Sequence, residues 1–358
     1  MQKVIVGMSG GVDSSVTAYL LKEQGYEVEG VSFILYEARM KNTFTGCCSI
    51  EAIKDALLTA EHMGVKHTAV DLRNEFMEKV IEPFIEAYSK GMTPNPCILC
   101  NRHIKFPYLL KIADEKGADF IATGHYARVL KDPSPITHYG SRLLKGIDPK
   151  KDQSYVLYVL KKEELKRLLL PLGDKKKDEV REIARTLNLP AAKRPESQEI
   201  CFIEDRKYFR FLENLAGSEE GPIIDVQTGK NLGTHKGIYL YTVGQRKRLG
   251  IATGKPFFVT KIDTEKNAVY VGPKEAAMIR EFDVFDINRL MGLSPEFRCT
   301  VKVRSMMPDE PATVTVLPDN KAKIVYDEPQ WAPAPGQSAV FYDGDAVMGG
   351  GIIERLYS

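Results

Sequence analysis

No stretch of this 358-residue chain approaches the roughly 20 apolar residues that a membrane-spanning helix needs. A helical membrane protein is therefore excluded on the sequence. The first residues, Met1 to Gly7, have neither the length nor the cleavage pattern of a secretory signal, so the cytoplasm is the expected compartment. Internal repeats and low-complexity tracts are lacking, which excludes solenoids and arrays. A large net charge is also missing: 50 lysines and arginines face 48 aspartates and glutamates, leaving +2. Cysteine is sparse, with six residues at 47, 48, 97, 100, 201 and 299. In a large cytosolic chain such cysteines are metal ligands, catalysts or redox groups rather than a disulfide framework. Disorder as the main state is excluded by a composition that is 43% hydrophobic and 27% charged.

The near-neutral total conceals segregation. Residues 226–262 carry Lys230, Lys236, Arg246, Lys247, Arg248, Lys255 and Lys261 and no acid. From Glu275 to the end, thirteen acidic residues outnumber eight basic ones.

Element patterns divide the chain. Apolar runs at 3–7, 26–33, 67–71 and 120–123 read as strands. Between them, helical spacing covers 13–24, 51–63, 74–88 and 102–116, with Gly25 as the first stop and Ser49 as a candidate cap. Alternating strands and helices predict an α/β fold with a parallel sheet covered on both faces. After Gly124 come shorter helices at 152–160 and 162–170 and an amphipathic one at 176–187. Beyond Gly221, glycine and proline punctuate short β-rich runs at 257–262, 268–271, 299–304, 312–316, 322–326 and 338–342. These predict smaller β-rich domains, the last of them barrel-like.

The strongest local signal is Ser9-Gly10-Gly11-Val12-Asp13-Ser14-Ser15, between the first strand and the first helix. Paired glycines let the backbone approach a phosphate, and the helix N-terminus supplies amides and a favourable dipole. The three serines add hydroxyl donors. Asp13 would repel phosphate unless it helps hold a magnesium ion. No Gly-Lys-Ser/Thr follows, so this is not a Walker loop. The string resembles the PP-loop of ATP pyrophosphatases, which cleave ATP between the α and β phosphates.

Thr93-Pro94-Asn95-Pro96-Cys97-Ile98-Leu99-Cys100-Asn101-Arg102 is the second signal. Two prolines fix an extended approach, and two cysteines three apart open a helix. The helix N-terminus, Arg102 and Lys105 favour the thiolate. Cys201, before Phe202, reads equally as a core residue or a site residue. Cys47 and Cys48 are adjacent and unsuited to share one metal. Cys299 opens an apolar strand and reads as structural.

Taken together, the 9–15 loop, the 93–101 run, Ala122-Thr123-Gly124-His125-Tyr126, Lys151-Asp152-Gln153-Ser154-Tyr155, Cys201, Thr242-Val243-Gly244-Gln245-Arg246 and Pro335-Gly336-Gln337-Ser338 resemble the tRNA-specific 2-thiouridylases, the MnmA family. The resemblance spans the chain in order. It implies a PP-loop catalytic domain over 1–206, a central β-rich domain over 207–283 and a C-terminal barrel-like domain over 284–358. The implied activity is ATP-dependent adenylation of C2 of the wobble uridine, followed by sulfur transfer that gives 2-thiouridine, AMP and pyrophosphate.

By the same resemblance, Cys201 carries a persulfide received from a cysteine desulfurase or a relay protein, and Cys100 is its partner thiol. ATP would lie against Gly7, Met8, Ser9, Gly10, Gly11, Val12, Asp13, Ser14, Phe33 and Gly124. The tRNA anticodon region would meet Asn95, Pro96, Cys97, His125, Lys151, Asp152, Gln153, Arg304, Ser305 and Gln337. Packing alone also accounts for His125 at the end of a strand.

Much of the family has an acidic residue where this chain has Cys97. A thiol there admits a second chemistry, in which Cys97, Cys100 and Cys201 hold a 4Fe–4S cluster with one iron open to hydrosulfide. Rival functions are an amide-forming PP-loop enzyme, which needs no thiol pair, a non-catalytic RNA-binding or iron–sulfur scaffold, which needs no ATP loop, and a dithiol oxidoreductase, whose thioredoxin-like context is lacking.

The acid-free 226–262 segment interleaves its basic residues with Tyr239, Tyr241, Phe257 and Phe258, a pattern suited to phosphate contact and base stacking. Replacing Arg246, Lys247 and Arg248 together by alanine is expected to weaken tRNA binding and flatten its salt dependence. Titrations at two ionic strengths measure both; unchanged affinity removes this segment from the tRNA surface.

Overall fold

The computed structural model describes residues 1–36, 50–131, 140–193, 200–203, 211 and 219–357. Cys47, Cys48, the candidate cap Ser49 and the 194–199 run before Cys201 lie outside the described residues. The chain divides into two compact units: Met1–Ile81 with Pro96–Arg206 and Asp345–Val347, and Glu82–Asn95 with Lys207–Gly344 and Met348–Ser358.

The first unit is built on β1 (Lys3–Gly7), α1 (Val12–Glu23), β2 (Glu27–Ile34), α2 (Ile50–His62), β3 (Lys66–Asp71) and α3 (Arg73–Phe76). The next helix in the chain, α4 (Glu82–Ser89), belongs to the second unit. The first unit resumes with α5 (Pro96–Cys100), α6 (Phe106–Glu115) and β4 (Phe120–Ala122). Then follow β5 (Ala127–Lys131), β6 (Ser141–Lys145), α7 (Ser154–Leu157), α8 (Lys162–Arg167), β7 (Leu168–Leu169) and α9 (Lys177–Thr186). A parallel sheet in the order β3-β2-β1-β4-β7 forms the frame. Its middle strand β1 buries Val4, Ile5 and Val6 completely, which is why the sequence shows a continuous apolar run there. Val16, Leu21, Ala56 and Ala60 from α1 and α2 pack onto this core. Gly25, at φ +86°, ends the α1 turn as expected, since glycine adopts that conformation without a Cβ penalty.

Both helices flanking the second unit's first segment contain π-turns. Met77–Ile81 joins α3 to α4, and Asn101–Lys105 joins α5 to α6. The expected helix at 102–116 therefore begins earlier, at Pro96, and takes in the cysteine pair. Proline fits a first helical position because its missing N–H has no intrahelical partner there. The 152–160 run shortens to α7, because Asp152 binds the Ser154 amide and hydroxyl, each at 3.0 Å, and halts the chain just before it. The 162–170 run ends early because Leu168 and Leu169 pair with β4. The hairpin β5–β6 was not legible in the sequence.

The second unit contains β8 (Gly221–Asp225), β9 (Asn231–His235), β10 (Phe258–Asp263) and β11 (Ala268–Gly272), in the order β10-β11-β8-β9. It continues with β12 (Met278–Arg289), β13 (Glu296–Lys302), β14 (Glu310–Leu317), β15 (Lys321–Trp331), β16 (Ser338–Asp343) and β17 (Ala346–Tyr357). These six strands follow the order β12-β15-β14-β13-β16-β17, and pairing of β12 with β17 closes them into a barrel. Phe282, Val284, Val314, Ile324, Phe341 and Ile353 fill it. The α/β class, the parallel sheet and the closing barrel agree with the sequence pattern. Closure removes sheet edges that would otherwise invite pairing with other chains.

Within this unit, Thr93 is a junction. Its amide donates to Pro335 O at 2.7 Å, its hydroxyl to Thr242 Oγ1 at 3.3 Å, and its carbonyl accepts from Gln337 Nε2 at 2.9 Å. Gly336 stands at φ +88°, and a Cβ there would lie 2.7 Å from Thr93 N. Gly336→Ala therefore faces a left-handed penalty of about 1–2 kcal/mol and a displaced Thr93. A lower denaturation midpoint for the second unit is expected, read by hydrogen exchange at 92–95 and 335–337.

Candidate active site

The loop between β1 and α1 is built by close approach. Gly10 adopts φ +70°, and a Cβ there would overlap the Ala52 carbonyl of α2. Gly124 follows β4, and a Cβ on it would stand 2.8 Å from the Asp13 carbonyl carbon and 2.9 Å from Ser14 N. Two glycines far apart in sequence thus let three backbone segments meet at the mouth of the sheet. That is the carboxyl edge of parallel strands, where ligands of open α/β sheets bind.

The serines behave differently from expectation. Ser14 Oγ donates to Gly11 O at 3.1 Å and accepts from Ser9 N at 3.1 Å. Ser15 Oγ donates to Gly11 O at 2.9 Å, and Ser15 is fully buried. Both hydroxyl protons brace the loop, so these two serines shape the turn. Ser9 is exposed and Gly11, Val12 and Asp13 are half-buried, which leaves the loop's backbone open on one side.

Asp13 is engaged within the protein. Its carboxylate accepts from Tyr126 OH at 2.7 Å and from Lys177 Nζ at 2.7 and 2.8 Å. Both oxygens are engaged by protein. Lys177 and Tyr126 were not singled out from the sequence. One signal was available for the lysine: Lys175, Lys176 and Lys177 crowd the start of an amphipathic helix, the end whose dipole disfavours cations.

Behind the loop, Met8 is buried and Ser32 Oγ donates to its carbonyl at 2.5 Å. Ser32 has one hydrogen, so His67 Nε2 carries the proton given to Ser32 Oγ across 2.8 Å. Burial lowers the His67 pKa, which favours this neutral form. Gly7 closes β1, and Phe33 is half-buried near the end of β2.

The 122–126 and 151–155 runs meet. Gln153 N donates to Tyr126 O at 2.8 Å, and Tyr126 N donates to Gln153 Oε1 at 2.9 Å. Asp152 Oδ1 also accepts from Gly146 N at 3.1 Å, and Lys151 is half-buried. His125 is buried against Phe106, with ring centroids 5.8 Å apart, and its Nδ1 lies 2.8 Å from Thr123 Oγ1. Burial, aided by the Lys105 charge, holds its pKa well below the usual imidazole value. The ring is neutral at physiological pH.

Cys97 and Cys100 lie on α5, three residues apart, with Cys97 exposed and Cys100 buried. Pro96 is buried in the same helix. Asn101, next to Cys100, is buried and donates Nδ2 to Val156 O at 2.9 Å. Cys201 is half-buried, and its neighbour Phe202 packs edge-on against Phe76 with centroids 5.8 Å apart. Phe202 thus ties the Cys201 turn to α3. Among the described residues no three His, Cys, Asp or Glu side chains are gathered as a metal-ligand group. Cys97 is exposed, Cys100 buried and Cys201 half-buried, so the three thiols sit in unequal environments.

The second unit holds the remaining expected residues. Asn95 is half-buried, two residues beyond the Thr93 junction. Arg304 Nη2 donates to Val243 O at 2.8 Å and Ala332 O at 2.9 Å, and Ser305 beside it is half-buried. Gln337 is held by Thr93. Arg246, Lys247 and Arg248 are exposed, and Arg246 and Arg248 border an open concavity of about 560 Å³. Tyr239 and Tyr241 are buried and Phe258 packs on Trp331 at 4.9 Å, so the expected stacking aromatics serve the core instead.

Comparison with known proteins places these features. Residues 2–205 match a family profile described as tRNA methyl transferase HUP domain, 209–273 its PRC-barrel domain and 279–353 an aminomethyltransferase beta-barrel domain. A tRNA-specific 2-thiouridylase MnmA of Carboxydothermus hydrogenoformans is 47% identical, over 99% of this chain and 98% of that protein. A protein of the same name from Clostridioides difficile is 46% identical over 99% and 98%, and one from Geobacter metallireducens is 44% identical over 99% and 97%.

Thiol reactivity is expected to follow exposure and charge. Burial pushes the Cys299 thiol up to about 12, leaving almost no thiolate at neutral pH. Brief alkylation of the folded protein, followed by peptide mass spectrometry, should label Cys97 well ahead of Cys299.

Proposed function

The chain belongs to the MnmA family of tRNA-specific 2-thiouridylases, and from that premise we propose how it acts. It is a tRNA sulfurtransferase that replaces the C2 oxygen of the wobble uridine by sulfur. The observation that carries the reading is one unit holding both an open glycine loop at the carboxyl edge of its sheet and a cysteine pair of unequal exposure. Activating a carbonyl oxygen and delivering sulfur are different tasks, and these are the groups each requires.

The glycine loop binds ATP, with Gly7 through Ser14 around the phosphates and Phe33 and Gly124 beside the nucleoside. The uridine O2 attacks the α-phosphorus and pyrophosphate leaves. An oxygen that was a poor leaving group then departs as AMP. Magnesium bound with the nucleotide would screen its phosphate charge, and Asp13, engaged by Tyr126 and Lys177, is the carboxylate of the loop that stands nearest to it in sequence. Cys201 accepts sulfur as a persulfide from a cysteine desulfurase or relay protein. The terminal sulfur attacks C2 and AMP leaves. The Cys100 thiolate then attacks the Cys201 sulfur. A Cys100–Cys201 disulfide forms, and the released electron pair completes the thiocarbonyl. A cellular thiol reductant restores both cysteines.

Asn95, Pro96 and Cys97 form the approach to the target base. His125, Lys151, Asp152, Gln153, Arg304, Ser305 and Gln337 belong to the tRNA surface. Several act from within: His125 and Arg304 hold backbone and neighbouring groups that a docked anticodon arm would meet. Residues 1–206 perform catalysis, while 207–283 and 284–358 grip the tRNA, with the exposed Arg246–Arg248 run on the phosphate backbone. The enzyme works in the cytoplasm.

Mass spectrometry of tRNA after incubation with ATP, magnesium and a persulfide donor tests the route. One oxygen-to-sulfur exchange per tRNA is expected, lost in Cys100→Ala and Cys201→Ala and retained in Cys97→Ala. Loss in all three, together with iron in anaerobically purified protein, would favour the cluster route instead.

A further inference from the structure

Lys177 lies outside every motif that marks the loop, yet its ammonium binds both oxygens of Asp13 at 2.7 and 2.8 Å. Tyr126 OH holds one of the same oxygens at 2.7 Å, and Lys177 Nζ stands 5.5 Å from the Tyr126 ring centroid. The lysine side chain is 8% exposed and that of Asp13 34%. Burying an ammonium costs free energy that a partner must offset, and α9 begins at Lys177, where its dipole disfavours a cation. Both costs are met at one place, beside a carboxylate in the first turn of α1. That first turn is where an anion entering the glycine loop arrives, and an uncompensated carboxylate there opposes it.

We propose that Lys177 is a residue of the nucleotide site, the counter-ion that neutralises Asp13 so that the loop accepts a polyphosphate, with Tyr126 as the positioning residue that aims the carboxylate at it. The inference rests on reading residues 9–15 as a nucleotide loop. A staple that merely joins α1 to α9 predicts no link between this pair and nucleotide charge. A lysine that touches phosphate directly predicts a loss that removing Asp13 cannot repair.

A double-mutant cycle separates these cases. ATP affinity is measured by calorimetry in EDTA, so that no metal enters, for wild type, Asp13→Asn, Lys177→Met and the double variant; adenosine is the uncharged control. Lys177→Met is expected to weaken ATP about 30-fold and leave adenosine unchanged, while the double variant returns to within about threefold of Asp13→Asn. Unchanged ATP affinity in Lys177→Met overturns the proposal, and so does a double variant as weak as Lys177→Met. Where Lys177→Met does not fold, Lys177→Gln takes its place in the cycle and the same outcomes decide. Folded wild-type protein that binds no ATP would remove the nucleotide reading and this inference together, whereas wild-type binding with an uncoupled cycle removes the inference alone.

Discussion

The ion pair of Asp13 with Lys177, shared with the Tyr126 hydroxyl, is the interaction around which the first unit's loop is built. At about 4 Å, two like unit charges repel by roughly 4 kcal/mol in a medium of effective dielectric 20, enough to empty an anion site. The chain keeps a carboxylate there and compensates it from two directions. Lys177 comes from the start of α9, and Tyr126 from the segment after β4. The backbone of the same Tyr126 accepts from the Gln153 amide and donates to the Gln153 side chain. The loop, the post-β4 segment and the 151–155 run are therefore one connected polar structure, and a displacement in one is felt by the others.

Glycine makes that connection possible by omission. Gly10 lets the loop lie against α2, and Gly124 lets the post-β4 segment lie against the loop. Neither glycine provides a chemical group. Each permits an approach that any side chain would block, so the amides of the loop are presented in a fixed frame. Ser14 and Ser15 then donate their hydroxyl protons to Gly11 O and hold that frame.

The second unit solves a different problem, that of holding an extended, proline-flanked stretch in place. Thr93 has no strand to join. Its backbone and hydroxyl are satisfied instead by Pro335 and Gln337, from the connection between β15 and β16, and by Thr242, from that between β9 and β10. The 242–246 and 335–338 runs thereby brace Thr93. Cysteine chemistry is sorted by the same logic of environment. Burial raises the Cys299 thiol out of the reactive range, while Cys97 remains at the surface of a helix start.

The sequence alone determined what depends on local pattern. The β1 run, the glycine pair, the Gly25 stop and the spacing of Cys97 and Cys100 are short-range features, and each stands in the structure as read. Arg246, Lys247 and Arg248 of the acid-free segment are exposed. Tertiary structure decided what depends on partners distant in the chain. Lys177 meets Asp13 across 164 positions, so no periodicity could announce it. Tyr239 and Tyr241 read as stacking platforms until the core of the second unit claimed them. Cys97 and Cys100 share a helix, yet only packing could set one outward and the other inward. Residue type proposes a chemistry, but burial and the neighbouring charge select it, and both are properties of the folded chain.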